Sequence, residues 1–415
     1  NPTINPTINP TINPTINPTI NPTINPTPML PSIYRPSEPF TLGILGGGQL
    51  AKMTAQEAYR MGLRVAIIEH GEDSPAGMMT KLDYPLGWKD EASLQKFIAA
   101  SDIVTLENEF IDPTILDVIA EQRFVFPTPA TMRLVQDKYT QKLTFSSQGI
   151  PTPHFAEIHK KLDLYAFGER HGYPFVAKTR KYGYDGYGNA TIKSDTEIDG
   201  VWRKFMEGEE PRPLLAESFV TFTKELAVLV ARNRRGELAV YPCVQTIQQG
   251  HICVSVLAPA PIEDVLQKRA QDIAVACVEA IDGVGVFGIE MFLTVNDDIV
   301  FNEIAPRPHN SGHYTIEACY TSQFENHVRA VTNMPLGSAD LRVGGAAMIN
   351  LLGERSGTAI PDSVMDCLRT PGVSLHLYGK KESRVGRKMG HLTATADTMD
   401  NAFALANSAL DGFIW

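Results

Sequence analysis

Cysteine is scarce in this chain and carries no pattern. The five residues Cys243, Cys253, Cys277, Cys319 and Cys367 are scattered, and no CxxC pair occurs. Neither a disulfide framework nor a thiolate metal clasp is indicated, and reduced thiols in a cytoplasmic protein are expected. Basic charge is in deficit: 37 Lys and Arg stand against 47 Asp and Glu, a net charge of −10. Sequence-independent nucleic-acid binding needs a basic footprint, so no nucleic-acid partner is expected. A local basic pocket for a small anion stays open. No apolar run reaches the ~18 residues of a membrane span. The N-terminus has no basic segment followed by an apolar one, so no secretory leader is expected.

Charge is missing altogether before Arg35. Six copies of Asn-Pro-Thr-Ile fill that space and run into Asn-Pro-Thr-Pro. Proline at every fourth position blocks helix and central strand, and pushes each preceding Asn to extended geometry. Proline in the middle of Asn-Pro-Thr also disqualifies it as a glycosylation acceptor. The segment reads as a low-complexity tail, and folded structure is expected from about Phe40. The 415 residues, 43% hydrophobic and 20% charged, suffice for two or three globular domains.

"FTLGILGGGQLAKMTAQEAYRMGLRVAIIEH" reads as strand, glycine turn, helix, strand: a βαβ unit. "DIVTLE" and "RFVFPT" add short strands, and apolar spacing predicts one helix from Thr131 to Gln148. A compact alternation follows: strand "YPFVAKTR", the loop "KYGYDGYGN", strand "NATIKS", a helix near 197–206 and strand "PLLAESFV". Long antiparallel strands are expected in "KELAVLVARNRRGELAVYPCVQTIQ", then a helix over 262–280.

Three stretches can carry chemistry. Gly46-Gly47-Gly48-Gln49-Leu50-Ala51 satisfies G-x-G-x-x-A, opens a helix, and is followed about 20 residues on by Glu69. Taken alone it suits an NAD-dependent oxidoreductase. Its backbone N–H groups at a helix N-terminus would hold any phosphate, and an ordinary tight turn explains it equally well. In "EMFLTVNDDIVFNE", a turn centred on Asn296-Asp297 places Glu290 opposite Glu303. Like charges so placed repel unless a cation lies between them, and hard oxygen ligands suit Mg²⁺. A three-residue loop would shift that partnership by one. Finally, "YGKKESRVGRKMGH" crowds Lys380, Arg384, Arg387 and Lys388 between glycines. Such a run is usually a solvated face, but it also suits a loop around a phosphate.

Together, the two acidic strands, a lysine (Lys178) before a glycine-rich loop, and the hinge Glu217-Ser218-Phe219-Val220 resemble the ATP-grasp superfamily. The strings "GGGQL", "TLENE", "KYGYDGYGN", "NEIAPRPHNSGH" and "GRKMGH" resemble its N5-carboxyaminoimidazole ribonucleotide synthetase family, in order from about Phe40 to Trp415. The resemblance implies an α/β fold (α+β in the lid). A disordered tail is expected over 1–39 and a Rossmann-like substrate domain over 40–136. A lid is expected over 137–215, and a larger mixed domain over 216–415.

The implied reaction uses ATP, bicarbonate and Mg²⁺, with Mn²⁺ as an alternative, to carboxylate 5-aminoimidazole ribonucleotide in a cytoplasmic homodimer. ATP contacts are implied for Lys138, Lys178, Gly183, Tyr184, Asp185, Gly186, Gly188, Gln248, Asn302 and Glu303. Backbone groups of Glu217, Ser218, Phe219 and Val220 would hold adenine, and Glu225 the ribose. Glu290 and Glu303 would ligate the metal. The glycine turn would serve the ribonucleotide through Gln49 and Leu50, with Glu107 on its ribose and Lys380, Arg387 and Lys388 on its phosphate. Tyr184, Asp185, Arg307 and His309 would line the place of carboxyl transfer. Three positions depart from the family: Lys138 stands for Arg, Tyr187 for Arg or Lys, and Gln248 for His.

Other readings are a formate-dependent glycinamide ribonucleotide transformylase, an NAD-dependent oxidoreductase, and a non-catalytic nucleotide-binding module. The transformylase pattern has Asp where this chain has Asn310. A neutral amide suits the neutral aromatic amine of aminoimidazole ribonucleotide, whereas a carboxylate suits a cationic aliphatic amine.

Overall fold

The protein is described from a computed structural model over residues 38–181, 183, 188–207 and 211–415. Thr41–Leu45 (β1), Arg64–Ile68 (β2), Leu82–Tyr84 (β3), Ile103–Leu106 (β4) and Phe124–Val125 (β5) form a parallel sheet in the order β3-β2-β1-β4-β5. β1 is buried along its whole length, as a parallel strand covered on both faces must be. Leu42, Ile44, Val65 and Ile67 pack on Ala51, Ala55 and Ala58 of the helix Gln49–Arg60. Leu45, Ala66, Ile68 and Val104 turn the other way, onto Leu94, Phe97 and Ile98 of the helix Glu91–Ala100.

The sequence pattern beyond β5 predicts one helix, and the structure has two, Pro129–Gln136 and Lys138–Ser147. Asp137 lies between them in extended geometry, and its carboxylate accepts from the backbone N–H groups of Tyr139 and Thr140. Arg180 grips the same carboxylate. A side chain that caps a new helix competes with continuation of the old one, and periodicity alone does not register it.

Phe155–Ile158 (β6), Phe175–Thr179 (β7), Asn189–Ile192 (β8) and Leu214–Ser218 (β9) make a small antiparallel sheet in the order β6-β9-β7-β8. β9 runs through residue 218, three residues past the expected end of the lid segment. Phe222–Arg232 (β10), Leu238–Val240 (β11), Val244–Gln249 (β12), Ile252–Ala258 (β13), Gly285–Thr294 (β14), Ile299–Ala305 (β15) and Gly345–Leu352 (β16) build most of a large antiparallel sheet. Gly357–Thr358 (β17) pairs with Glu382–Ser383 (β19) apart from it. Val373–Leu377 (β18) and Lys388–Ala396 (β20) complete the order β15-β14-β10-β12-β13-β16-β20-β18, with β11 on β10. Alternation along β10 sends Leu226, Val228 and Val230 against the helix Asp264–Ala280, and Ala227, Leu229 and Ala231 to the opposite core.

The parallel sheet is fastened to the large one by the helix Gln323–Val331. Val328 and Val331 join the core under β1 and β2. His327, fully buried, accepts from the Val286 backbone N–H at Nδ1 (3.1 Å), so its proton sits on Nε2 and points to Thr105 Oγ1 (2.8 Å). The Thr105 hydroxyl donates onward to the Phe126 carbonyl (2.8 Å). One neutral imidazole thus joins β4, which leads to Glu107, with β14, which carries Glu290. All five cysteines are buried and no disulfide joins any of them, and among the described residues no helix is long and apolar enough to cross a membrane.

Candidate active site

The hairpin β14–β15 supplies the two opposed carboxylates. Glu290 is paired directly with Glu303, as the sequence argument expects. The route to that pairing differs from expectation. Near the turn the partners are Leu293 with Ile299 and Met291 with Phe301, the register of a longer loop in which Asp297 takes a positive φ of 59°. A β-bulge between Met291 and Glu290 leaves Asn302 as the extra residue and restores the pairing. Glu290 is pushed up to about 7 by burial, with Glu303 and Glu225 adding repulsion. Such a pair calls for a cation. Among the described residues no group of three or more His, Cys, Asp and Glu gathers for a metal. Two hard carboxylates would suit Mg²⁺, with other ligands supplied from outside the protein.

The bulged Asn302 is the hub of a closed ring. Lys178 Nζ, on β7, reaches Asn302 Oδ1 (3.5 Å) and Glu217 Oε2 (2.8 Å). Lys142 Nζ, from the helix Lys138–Ser147, donates to the Asn302 carbonyl (3.0 Å) and lies 3.4 Å from Glu217 Oε1. That second contact is an ion pair, and Oε1 has no hydrogen-bond donor among the described residues. Burial pushes the Glu217 carboxyl up, but the two ammoniums outweigh it and leave it below the usual range. Burial drives Lys142 down to about 8, although Glu217 opposes the shift. Lys138, one turn earlier, pairs with Glu303 Oε1 at 2.7 Å. Lys138 and Glu303 border a small cleft lined also by Glu109, Gln136 and Gly183.

Beyond β15, Arg307 forms a two-pronged ion pair with Glu109, the second acid of the "TLENE" string. His309 is held neutral, down to about 3, by burial and by Arg307 and Lys388. Its Nδ1 takes the Ser311 hydroxyl at 2.8 Å, and Nε2 lies 3.5 Å from Glu290 Oε1. Buried Gln323 clamps its backbone from both sides, accepting from His309 N–H and donating to its carbonyl, each at 2.8 Å. Asn310 exchanges amide hydrogen bonds with Asn350 (2.9 and 2.7 Å), so both ends of its carboxamide are engaged. Gln248 hydrogen-bonds Glu225, whose carboxyl burial pushes up. In the hinge, Phe219 is exposed and the buried Ser218 hydroxyl has no hydrogen-bond partner among the described residues.

The glycine turn corrects its sequence reading. Three of its N–H groups, those of Gly47, Gly48 and Ala51, are already taken by the protein's own carboxylates. Glu107 accepts from Gly48 N–H (2.6 Å) and Ala51 N–H (2.9 Å), and Glu69 accepts from Gly47 N–H (3.1 Å). A Cβ on Gly48 would stand 2.6 Å from Glu107 Oε1, so glycine is needed to admit the acid. This occupancy removes the dinucleotide reading. Leu50 is buried against Met53, Phe324 and Tyr378, which leaves only its backbone for a ligand. In the basic loop, Lys380 donates to the Lys388 carbonyl (2.7 Å) over the Tyr378 ring, and burial brings it down to about 8. Arg387 donates to the Glu382 carbonyl (2.6 Å).

At the base of the glycine-rich loop, Gly188 takes a φ of 87° and its carbonyl accepts from Thr179 N–H (2.7 Å). Tyr184, Asp185, Gly186 and Tyr187 lie outside the described residues. The sequence argument missed Glu109, Lys142, Gln323 and Asn350. Lys142 had a usable signal: a lysine four residues after Lys138, on the helix face that also carries Phe145 into the core.

Three family models match the chain in order: the ribonucleotide synthetase preATP-grasp domain at 40–136, the ATP-grasp domain at 143–324, and the phosphoribosylaminoimidazole carboxylase C-terminal domain at 346–404. The N5-carboxyaminoimidazole ribonucleotide synthase of Synechococcus elongatus is 41% identical over 356 residues, 85% of this chain and 88% of that protein. The phosphoribosylaminoimidazole carboxylase of Candida albicans is 40% identical over 87% of this chain, which spans 65% of that longer protein. The crystal structure of the Aspergillus clavatus N5-carboxyaminoimidazole synthase with ADP and 5-aminoimidazole ribonucleotide superposes with a TM-score of 0.81. It is 35% identical and covers 90% of this chain and 98% of its own.

Proposed function

The chain belongs to the N5-carboxyaminoimidazole ribonucleotide synthase family of ATP-grasp enzymes, and on that premise we propose that it carboxylates 5-aminoimidazole ribonucleotide at the expense of ATP. A bicarbonate oxygen attacks the γ-phosphorus, the bond to the β-phosphate oxygen breaks, and ADP leaves. The substrate amine then attacks the carbonyl carbon of the carboxyphosphate, losing its proton as phosphate departs. The observation that carries this reading is the direct pairing of Glu290 with Glu303 beside Lys138 and Lys178.

Glu290 and Glu303 would hold Mg²⁺, which supplies charge neutralisation along the phosphates. Lys138 borders the cleft and Lys178 stands behind it on Asn302 and Glu217, both as point charges for the phosphates. Lys138 replaces the bidentate grip that an arginine would offer. Backbone groups of 217–220 take adenine, and Glu225, held by Gln248, the ribose. His309, neutral and aimed at Glu290, is a proton donor or acceptor for the amine without adding charge. Arg307, fixed by Glu109, faces the carboxyl group in transit. The glycine-rich loop closes over the site with Tyr184 and Asp185, which keeps water from a labile mixed anhydride.

The ribonucleotide lies between the glycine turn and the basic loop, with Lys380, Arg387 and Lys388 toward its phosphate. Residues 40–136 bind this substrate, 137–215 form the lid and 216–415 the remainder. The resemblance further implies a cytoplasmic homodimer, which light scattering checks for its oligomeric part. The function is tested by phosphate release from ATP with 5-aminoimidazole ribonucleotide, with and without bicarbonate. Release that needs both supports the reading, and release indifferent to both contradicts it.

A further inference from the structure

Lys142 is a fully buried ammonium that the reaction as drawn does not use. Its side chain is 1% exposed, and it shares Glu217 and Asn302 with Lys178. The other cations nearby are committed elsewhere: Lys138 to Glu303, and Arg180 to Asp137 and Glu157. Lys138 lowers the Glu217 carboxyl from farther off, but among the described residues the ammoniums within ion-pair distance of it are Lys142 and Lys178. Without Lys142, Lys178 would be the ammonium left in direct contact with Glu217, and a buried carboxylate does not release such a partner readily. Lys142 also donates to the carbonyl of the residue whose bulge sets Glu303 opposite Glu290.

We propose that Lys142 is a positioning residue for ATP: by holding Glu217 and the Asn302 carbonyl, it leaves the Lys178 ammonium able to turn from Glu217 to a phosphate. The role rests on the reading of this cleft as the ATP site. It acts through another side chain, so it predicts a specific coupling rather than a loss of fold. Lys142→Met keeps an unbranched apolar stem and removes the ammonium that lies 5.2 Å from the Phe301 ring centroid.

The test is a double-mutant cycle read by calorimetric binding of a non-hydrolysable ATP analogue with Mg²⁺, alongside steady-state kinetics. Loss of a charged partner predicts that Lys142→Met weakens analogue binding by roughly tenfold to a hundredfold. KM for ATP should rise with it while kcat changes less. Adding Glu217→Gln should bring the double variant back toward the affinity of Glu217→Gln alone, to within about threefold, because nothing then detains Lys178. If Lys142→Met does not fold, the comparison of the double variant with Glu217→Gln still decides. Wild-type affinity in Lys142→Met, or a double variant far weaker than Glu217→Gln, would overturn the role while leaving the ATP site in place. Failure of the wild-type protein to bind the analogue would overturn the ATP reading and this role together.

Discussion

Glu290 faces Glu303 directly across β14 and β15, and a bulge at Asn302 is what brings them opposite. The pairing destabilises the hairpin when no cation is present. The protein keeps it for what it binds.

Glu290→Gln and Glu303→Gln should each lower ATP turnover by on the order of a hundredfold or more, the loss expected when several kcal/mol of charge stabilisation disappear. Glu290→Gln should at the same time raise the melting temperature of the nucleotide-free protein, since it removes the repulsion. Near-normal turnover at low Mg²⁺ in either variant would contradict the metal assignment.

Gly48→Ala forces the Glu107 carboxylate off the helix N-terminus, because the new Cβ would stand 2.6 Å from Oε1. Two backbone N–H bonds are at stake, so a loss of about 1–3 kcal/mol in urea unfolding is expected. KM for the ribonucleotide should rise more than KM for ATP if the turn serves the former, as proposed. Equal increases in both would separate this turn from the substrate.

Asn310→Asp places a carboxylate oxygen against Asn350 Oδ1, where Nδ2 now donates at 2.9 Å. Asn350 cannot turn its amide to meet it without giving up its own bond to the Cys253 carbonyl. Turnover with 5-aminoimidazole ribonucleotide should fall by about tenfold, a charged-group hydrogen-bond effect. Unchanged turnover would show that the amide pair lies apart from the reacting amine.

His327 is driven down to about 3 by burial, from an ordinary value of 6.5. A base with a depressed folded value stabilises the fold fully above 6.5, and that stability is lost as pH falls toward 3. Each pH unit in that window costs ~1.4 kcal/mol per group. Between pH 7 and 5 the wild-type protein should therefore lose about 2 kcal/mol more than His327→Gln in urea unfolding. Parallel losses in the two proteins would mean that the imidazole is not buried neutral.

Much of this arrangement is legible in the chain because it is local. Alternation in "EMFLTVNDDIVFNE" is enough to place Glu290 near Glu303, although the turn is longer than expected and only the unread bulge repairs the register. The βαβ unit and the lid strands follow from period and glycine placement. What stays hidden depends on which distant side chain arrives. The glycine turn looks like a phosphate seat until Glu107 and Glu69 are seen to fill it. The helix break at Asp137 depends on Arg180, 43 residues on. Gln323, which clamps His309, bears no local mark at all.

The most direct test of the function is a matched assay of 5-aminoimidazole ribonucleotide and glycinamide ribonucleotide, each with labelled bicarbonate or formate. The outcome expected is ATP-dependent transfer of label from bicarbonate to 5-aminoimidazole ribonucleotide, one carboxyl group per ATP consumed, and none from formate to glycinamide ribonucleotide. Faster transfer of formate to glycinamide ribonucleotide would contradict the assignment.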